Sequence, residues 1–118
     1  MNQLDPSFSV NIEEMHGVLI LGISGSLTGQ ESCVSLIDQL KMLLQKGQKQ
    51  FVLDMRSVDW INSSGIGFLM RTLATINKNN GQLKLARPSS RVKNILEITH
   101  FNELVEVIDN LEKAIYSF

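Results

Sequence analysis

Asn62, Ser63 and Ser64 stand between an apolar run that ends at Ile61 and a helical pattern that begins with Gly65, Ile66, Gly67 and Phe68. All three are types favoured at helix N-caps, where the first backbone N–H groups lack intrahelical acceptors and the peptide dipoles favour negative charge. A hydroxyl placed where a strand turns into a helix is exposed, and an anion attached to it is tolerated. Two chemistries fit. Ser63 or Ser64 is a simple N-cap, worth ~1 kcal/mol, or one of them is a serine presented for another protein to modify and read. Three details add weight to the second. Gly65 and Gly67 fall in the first helical turn, where each costs up to ~1 kcal/mol against alanine, so close approach by a partner is one reason for them. Gly67 lies four residues after Ser63 and leaves the surface beside it bare. With Ile66, Leu69, Met70, Leu73 and Ile76 taken as the apolar face, Phe68 points outward beside Arg71 and Thr75, either as an interface anchor or in simple partial burial.

Catalytic alternatives find little support. His16 and His100 fall in separate expected turns, and neither has a partner at metal-binding spacing. HExxH, GxSxG and the phosphate-cradling GxxxxGK[ST] are absent. The glycines of residues 24–29, SGSLTG, are too loosely spaced for a phosphate cradle. Ser63 has no evident base. One cysteine, Cys33, excludes an intrachain disulfide and a cysteine-rich zinc site. The expectation is no enzyme, no metal and no cofactor.

Charge and composition narrow the partners. Eleven basic against 12 acidic residues give a net charge of −1, with no basic field for nucleic acid. One Trp and one Tyr argue against a base-stacking platform. The longest apolar run, residues 18–23, is far short of the roughly 20 residues of a spanning helix, so no membrane insertion is expected. The start, MNQLDPSFSV, has no basic segment followed by an apolar one, and the cytoplasm is the expected compartment.

The 118 residues form one expected domain, 1–118, with 43% hydrophobic residues to build its core. Residues 1–6 read as a polar leader. Alternation at Phe8, Val10 and Ile12 predicts a strand, residues 13–17 a turn, and residues 18–24, apolar on both faces, a second and central strand. Residues 25–29 read as a loop. Cys33, Leu36, Ile37, Leu40, Leu43 and Leu44 mark a first helix. Residues 51–55 predict a short buried strand, and residues 64–78 a helix that Asn79-Asn80-Gly81 ends. Leu83, Leu85 and Ala86 mark a strand. Ser89-Ser90 open a helix with Val92, Ile95, Leu96 and Ile98. Leu104, Val105 and Val107 suggest an edge strand, and Asp109 or Asn110 caps a last helix. The order β-β-α-β-α-β-α-β-α predicts an α/β fold with a mixed, mostly parallel sheet backed by helices, its first pair an antiparallel hairpin.

VDWINSSGIGFLM, following FVLDM and preceded by GSLTG, resembles the STAS family and especially bacterial anti-sigma factor antagonists. The likeness covers nearly the whole chain: GSL at 25–27, Leu53-Asp54, SSGIG at 63–67 and ITHF at 98–101. It implies that the serine directly after the family's usual aspartate, here Ser63, is phosphorylated by an ATP-dependent anti-sigma factor kinase of the GHKL type, with a PP2C-type phosphatase as a further partner. It also implies a partner surface of Asn62, Ser64, Gly65, Gly67, Phe68, Ser26 in the 25–29 loop, and Asp54. Asp54 and Asp59 would repel the phosphate or position the hydroxyl. Two residues depart from the family pattern. Asn62 replaces the aspartate, keeping hydrogen-bonding capacity without the charge. His100 replaces a glycine after the third helix, a small stability cost if that residue is left-handed. The alternative is a stand-alone STAS subunit of an ABC-type transport system, docked on its ATPase and not phosphorylated.

Overall fold

A computed structural model of the chain describes residues 8–29 and 31–118. The polar leader expected at residues 1–6 lies outside them. β1 (Phe8–Met15) and β2 (Val18–Leu27) pair antiparallel from Phe8↔Gly25 to Met15↔Val18. Only His16 and Gly17 make the turn, both at positive φ (54° and 80°), a conformation whose twist matches the flanking strands. The expected turn at 13–17 is therefore shorter, because residues 13–15 still pair.

The chain then alternates: α1 (Glu31–Gln45), β3 (Gln50–Ile61), α2 (Ser63–Lys78), β4 (Gln82–Ala86), α3 (Ser90–Ile98), a 3-10 turn at Phe101–Glu103, β5 (Glu106–Ile108) and α4 (Leu111–Ile115). The five strands lie in the order β1-β2-β3-β4-β5, with every pair after the first parallel. The mixed, mostly parallel α/β architecture matches the sequence expectation. Each crossover joins neighbouring strands in one direction. Right-handed connections of that kind place their helices on one face of the sheet. The core shows this: Leu19, Leu21, Ile23, Phe51, Leu53 and Leu85 pack with Leu36, Leu40, Leu69, Ile76, Val92 and Leu96 of α1–α3. The opposite face is smaller, with Val18, Ile20, Val52 and Ala86 under Ala114 and Ile115 of α4. β2 is apolar on both faces because both are covered.

Two strands run past their expected ends. β2 continues through Gly25 and Ser26 to Leu27, so residues 25–27 are strand and not loop. β3 extends beyond Met55 to Ile61. It carries two register shifts against β2, between Gly22↔Asp54 and Ser24↔Ser57 and again between Gly25↔Val58 and Ser26↔Trp60. Each shift adds one residue to β3, so Met55, Val58 and Ile61 face the core at a spacing of three. Pairing with β4 stops at Asp54↔Ala86, so among the described residues the rest of β3 pairs with β2 alone. The bulges and the exposed Arg56, Ser57 and Asp59 keep that free edge from pairing with another chain. β5 is shorter than expected: Val105 is buried before the strand begins and Leu104 is exposed.

Capping follows the sequence at three helices. Ser89 accepts from the Val92 N–H at 3.2 Å, Asn110 from the Lys113 N–H at 2.9 Å, and Asn79 follows α2. His100 is left-handed (φ 62°, ψ 15°), the conformation that favours the glycine usual there. Its ring Nδ1 lies 2.7 Å from Glu103 Oε2, a pair too exposed to contribute much. His100→Gly should raise the thermal midpoint by about 2–5 °C, for a gain of roughly 0.5–1 kcal/mol. A midpoint that falls would show the Glu103 contact outweighing the backbone strain.

Candidate functional site

The site is built by joining β3 to α2 through one residue. Ile61 ends the strand, buried in the core, and Ser63 begins the helix. Asn62 between them holds both sides. Its backbone N–H donates to Leu27 O on β2 at 3.2 Å. Its side-chain Oδ1 accepts from the Gly65 N–H at 2.9 Å, and its carbonyl accepts from the Ile66 N–H at 3.0 Å. The cap is therefore Asn62, and the reading of Ser63 or Ser64 as N-cap is corrected. The amide oxygen does the capping that an aspartate would do, without a charge. Both serine hydroxyls are released from that duty.

Ser63 and Ser64 are exposed at the first two helical positions, in a first turn that contains no acidic residue. Their surroundings differ. Ser64 lies against the end of the β2–α1 loop: a Cβ on Gly29 (φ 76°) would sit 2.7 Å from Ser64 Cβ. Ser63 opens on the other side, along the face that continues through Gly67, Met70 and Arg71. A Cβ on Gly67 would meet nothing within 4 Å, so this flank is bare. Gly65 differs: a Cβ there would lie 2.1 Å from Leu27 O and 2.8 Å from Leu27 C. Gly65 lets the helix start touch the end of β2 and is buried, so close packing within the chain accounts for it. Ser26 is half-buried in β2, with its Cα opposite that of Trp60.

Two expected members do not join this surface. Phe68 is 0% exposed and packs in the main core, so it is no exposed anchor. The buried stripe of α2 is Gly65, Phe68, Leu69, Thr72 and Ile76, while Met70, expected inside, is 44% exposed. Thr72 fits the stripe because its hydroxyl donates to Phe68 O at 2.9 Å. A glycine and a threonine at buried positions hid the stripe from hydropathy and turned the assigned face by about one residue. Asp54 is also elsewhere. It sits seven residues before Ile61, roughly 20 Å along the strand, two positions after Val52 of the α4-side cluster. Its carboxylate accepts from Arg87 Nε at 3.0 Å and from Arg87 Nη2. That hydrogen bond, more than the opposite charge, raises the Arg87 pKa against the smaller effect of burial. Arg87 is itself left-handed (φ 55°), and its N–H donates to Ile108 O at 2.9 Å. Asp54 therefore fixes the path from β4 into α3.

Trp60 is the residue the sequence reading missed. It counted as part of the apolar run into Ile61, yet it is 42% exposed. Arg91 of α3 lies over its ring, Cζ 5.1 Å from the centroid. The signal lay in the spacing of three at Met55, Val58 and Ile61, which leaves Trp60 off the core face. The two histidines lie apart with partners of their own, His16 Nε2 at 2.8 Å from Tyr116 Oη near the end of the chain and His100 at Glu103 three residues on. Among the described residues no three His, Cys, Asp or Glu side chains gather as metal ligands, and no helix is long and apolar enough to cross a membrane.

Comparison with known proteins gives a consistent set. A family model described as "STAS domain" matches residues 9–114. The anti-sigma F factor antagonist of Paenibacillus polymyxa is 21% identical over 109 residues, covering 92% of this chain and 93% of its own. The unphosphorylated form of the anti-sigma factor antagonist SpoIIAA superposes with a TM-score of 0.74 at 14% identity, over 91% of this chain and 93% of that one. The phosphorylated form of the Bacillus protein gives 0.69 over 91% and 96%, again at 14% identity. A sulfate transporter family protein of Wolinella succinogenes gives 0.66 at 27% identity, over 85% and 83%.

Proposed function

Because this chain belongs to the STAS-domain family, we propose that it is an anti-sigma factor antagonist switched by phosphorylation of Ser63. One observation carries the reading: Ser63 is exposed at the first position of α2, freed from capping by Asn62, beside a bare Gly67 and with no acidic side chain in its turn. Unphosphorylated, the chain binds an anti-sigma factor serine kinase of the GHKL type across this surface, holds it away from its sigma factor, and so regulates transcription. The kinase transfers the terminal phosphoryl group of ATP to Ser63 Oγ, whose proton leaves, and ADP is released. The added charge of about −1.5 to −2 is tolerated by the helix start but not by the desolvated contact. A PP2C-type phosphatase resets the serine by hydrolysis. The relatives named as anti-sigma factor antagonists support this role.

The test is incubation of the purified chain with ATP and an anti-sigma kinase of the same organism. A stable mass gain of one phosphoryl group, mapped to Ser63 and absent in Ser63→Ala, is expected. The likeness to a sulfate transporter family protein, with Asn62 in place of the usual aspartate, favours a second reading: an unphosphorylated STAS subunit docked on a transport ATPase. No mass gain, together with firm co-purification of such an ATPase, would support it over the first.

A further inference from the structure

We infer that the docking surface extends from Ser63 across Trp60 to Arg91, and that the anti-sigma kinase meets it with an apolar recess beside a carboxylate. This rests on the reading above and adds a second contact region to it. Trp60 precedes Ser63 by three residues, and its Cα lies opposite that of Ser26 on β2. β4 has already left the sheet at that level, so the free edge of β3 faces the first turn of α3, where Arg91 stands. The β2–α1 loop, the start of α2, the end of β3 and the start of α3 thus form one end of the molecule.

A single exposed aromatic is ordinary on a protein surface. The arrangement here is not that of a loose side chain. The indole is the chain's one tryptophan, exposed at 42%, and the Arg91 guanidinium lies over its ring. A Trp and an Arg already in contact have less conformational freedom to lose on binding than separate side chains, and these two types are enriched among interface hot spots. With its carbon 5.1 Å from the ring centroid, the guanidinium can keep N–H groups for a planar bidentate acceptor. Arg91 has no ion pair among the described residues, so that edge is not committed to a carboxylate of this chain. In a two-fold contact centred on this patch a second copy would set Arg91 against Arg91, whereas a partner carboxylate complements it.

The experiment measures binding of the chain to the purified anti-sigma kinase that acts on Ser63. Trp60→Ala and Arg91→Glu should each weaken binding at least tenfold, with Trp60→Phe recovering most of the loss. Both positions are exposed, so thermal midpoints should stay near wild type. Fluorotryptophan incorporated into this chain labels only position 60, and its fluorine resonance should shift when unlabelled kinase is added. That readout decides the matter even if Trp60→Ala folds poorly. If Ser63→Asp loses binding while both variants bind like wild type and the resonance stays in place, the extension to Trp60 and Arg91 is wrong and the functional reading stands. If the wild-type chain binds no such kinase, the functional reading falls and this inference falls with it.

Discussion

Ser63→Asp should leave the chain folded and weaken its binding to the anti-sigma kinase by about 10²-fold or more, ~2.7 kcal/mol, while Ser63→Ala stays within a few-fold of wild type. The two halves of this expectation have different origins. In the free chain, position 63 begins α2, where no acidic side chain yet answers the partial positive charge of the helix start. A carboxylate there is stabilised by ~0.3–1 kcal/mol, so the thermal midpoint should hold or rise slightly. In the complex the same charge loses its water against a partner surface, and an unpaired charge buried in an interface costs several kcal/mol. Removing a small exposed hydroxyl carries no comparable penalty. Titration calorimetry with the three proteins, beside their thermal melts, separates the effects. Equal binding by Ser63→Asp and Ser63→Ala would show that charge at this position is not the switch.

The second large effect is on stability, and it comes from two glycines two residues apart. Gly65→Ala should lower stability by about 3 kcal/mol and the thermal midpoint by roughly 10 °C. Its methyl group would fall 2.1 Å from Leu27 O, a backbone atom that cannot swing aside. The start of α2 must retreat, which stretches the bond from the Asn62 N–H to Leu27 O and loosens the contacts of Ile61 and Phe68. Gly67→Ala should do the opposite. With nothing within 4 Å of the added methyl, it gains up to ~1 kcal/mol of helix propensity and places a side chain beside Ser63. Melts of the two variants give the comparison. Equal stability of Gly65→Ala and wild type would mean that α2 does not rest on β2 as described.

Much of the architecture was legible because the residues carrying it obey simple periods. The alternation at Phe8, Val10 and Ile12, the spacing of Leu36, Leu40 and Leu44, and the caps at Ser89 and Asn110 led to the right elements. What escaped did so for physical reasons. The far half of β3 follows neither the strand period nor the helix period. Its two bulges impose a spacing of three that exists only once β2 lies beside it. On α2 the buried stripe includes Gly65 and Thr72, residues whose burial depends on a close approach and a local hydrogen bond rather than on hydropathy. That displaced Phe68 from the core in the sequence reading and put Met70 there instead. Asp54 lay near Ser63 only in the sense of a short motif, since an extended strand carries residues apart quickly. The start of α2 was legible to within a residue, but its cap read as Ser63 or Ser64, because Asn62 and both serines are all capping types and only the bond from the Gly65 N–H to Asn62 Oδ1 separates them. The left-handed backbone at His100 followed from the family resemblance and is present.

The single residue between β3 and α2 decides how this serine can be read. No loop precedes Ser63, so there is no flexible segment to order when a partner arrives. The hydroxyl is delivered with the stiffness of a strand on one side and a helix on the other. On the proposed reading, a kinase acting on Ser63 must accept a folded corner between strand and helix rather than thread an extended peptide through its cleft. Recognition would then be of a folded shape assembled from β2, β3 and α2, and the eleven residues at 58–68, cut from the domain, would carry the letters of the motif without its geometry.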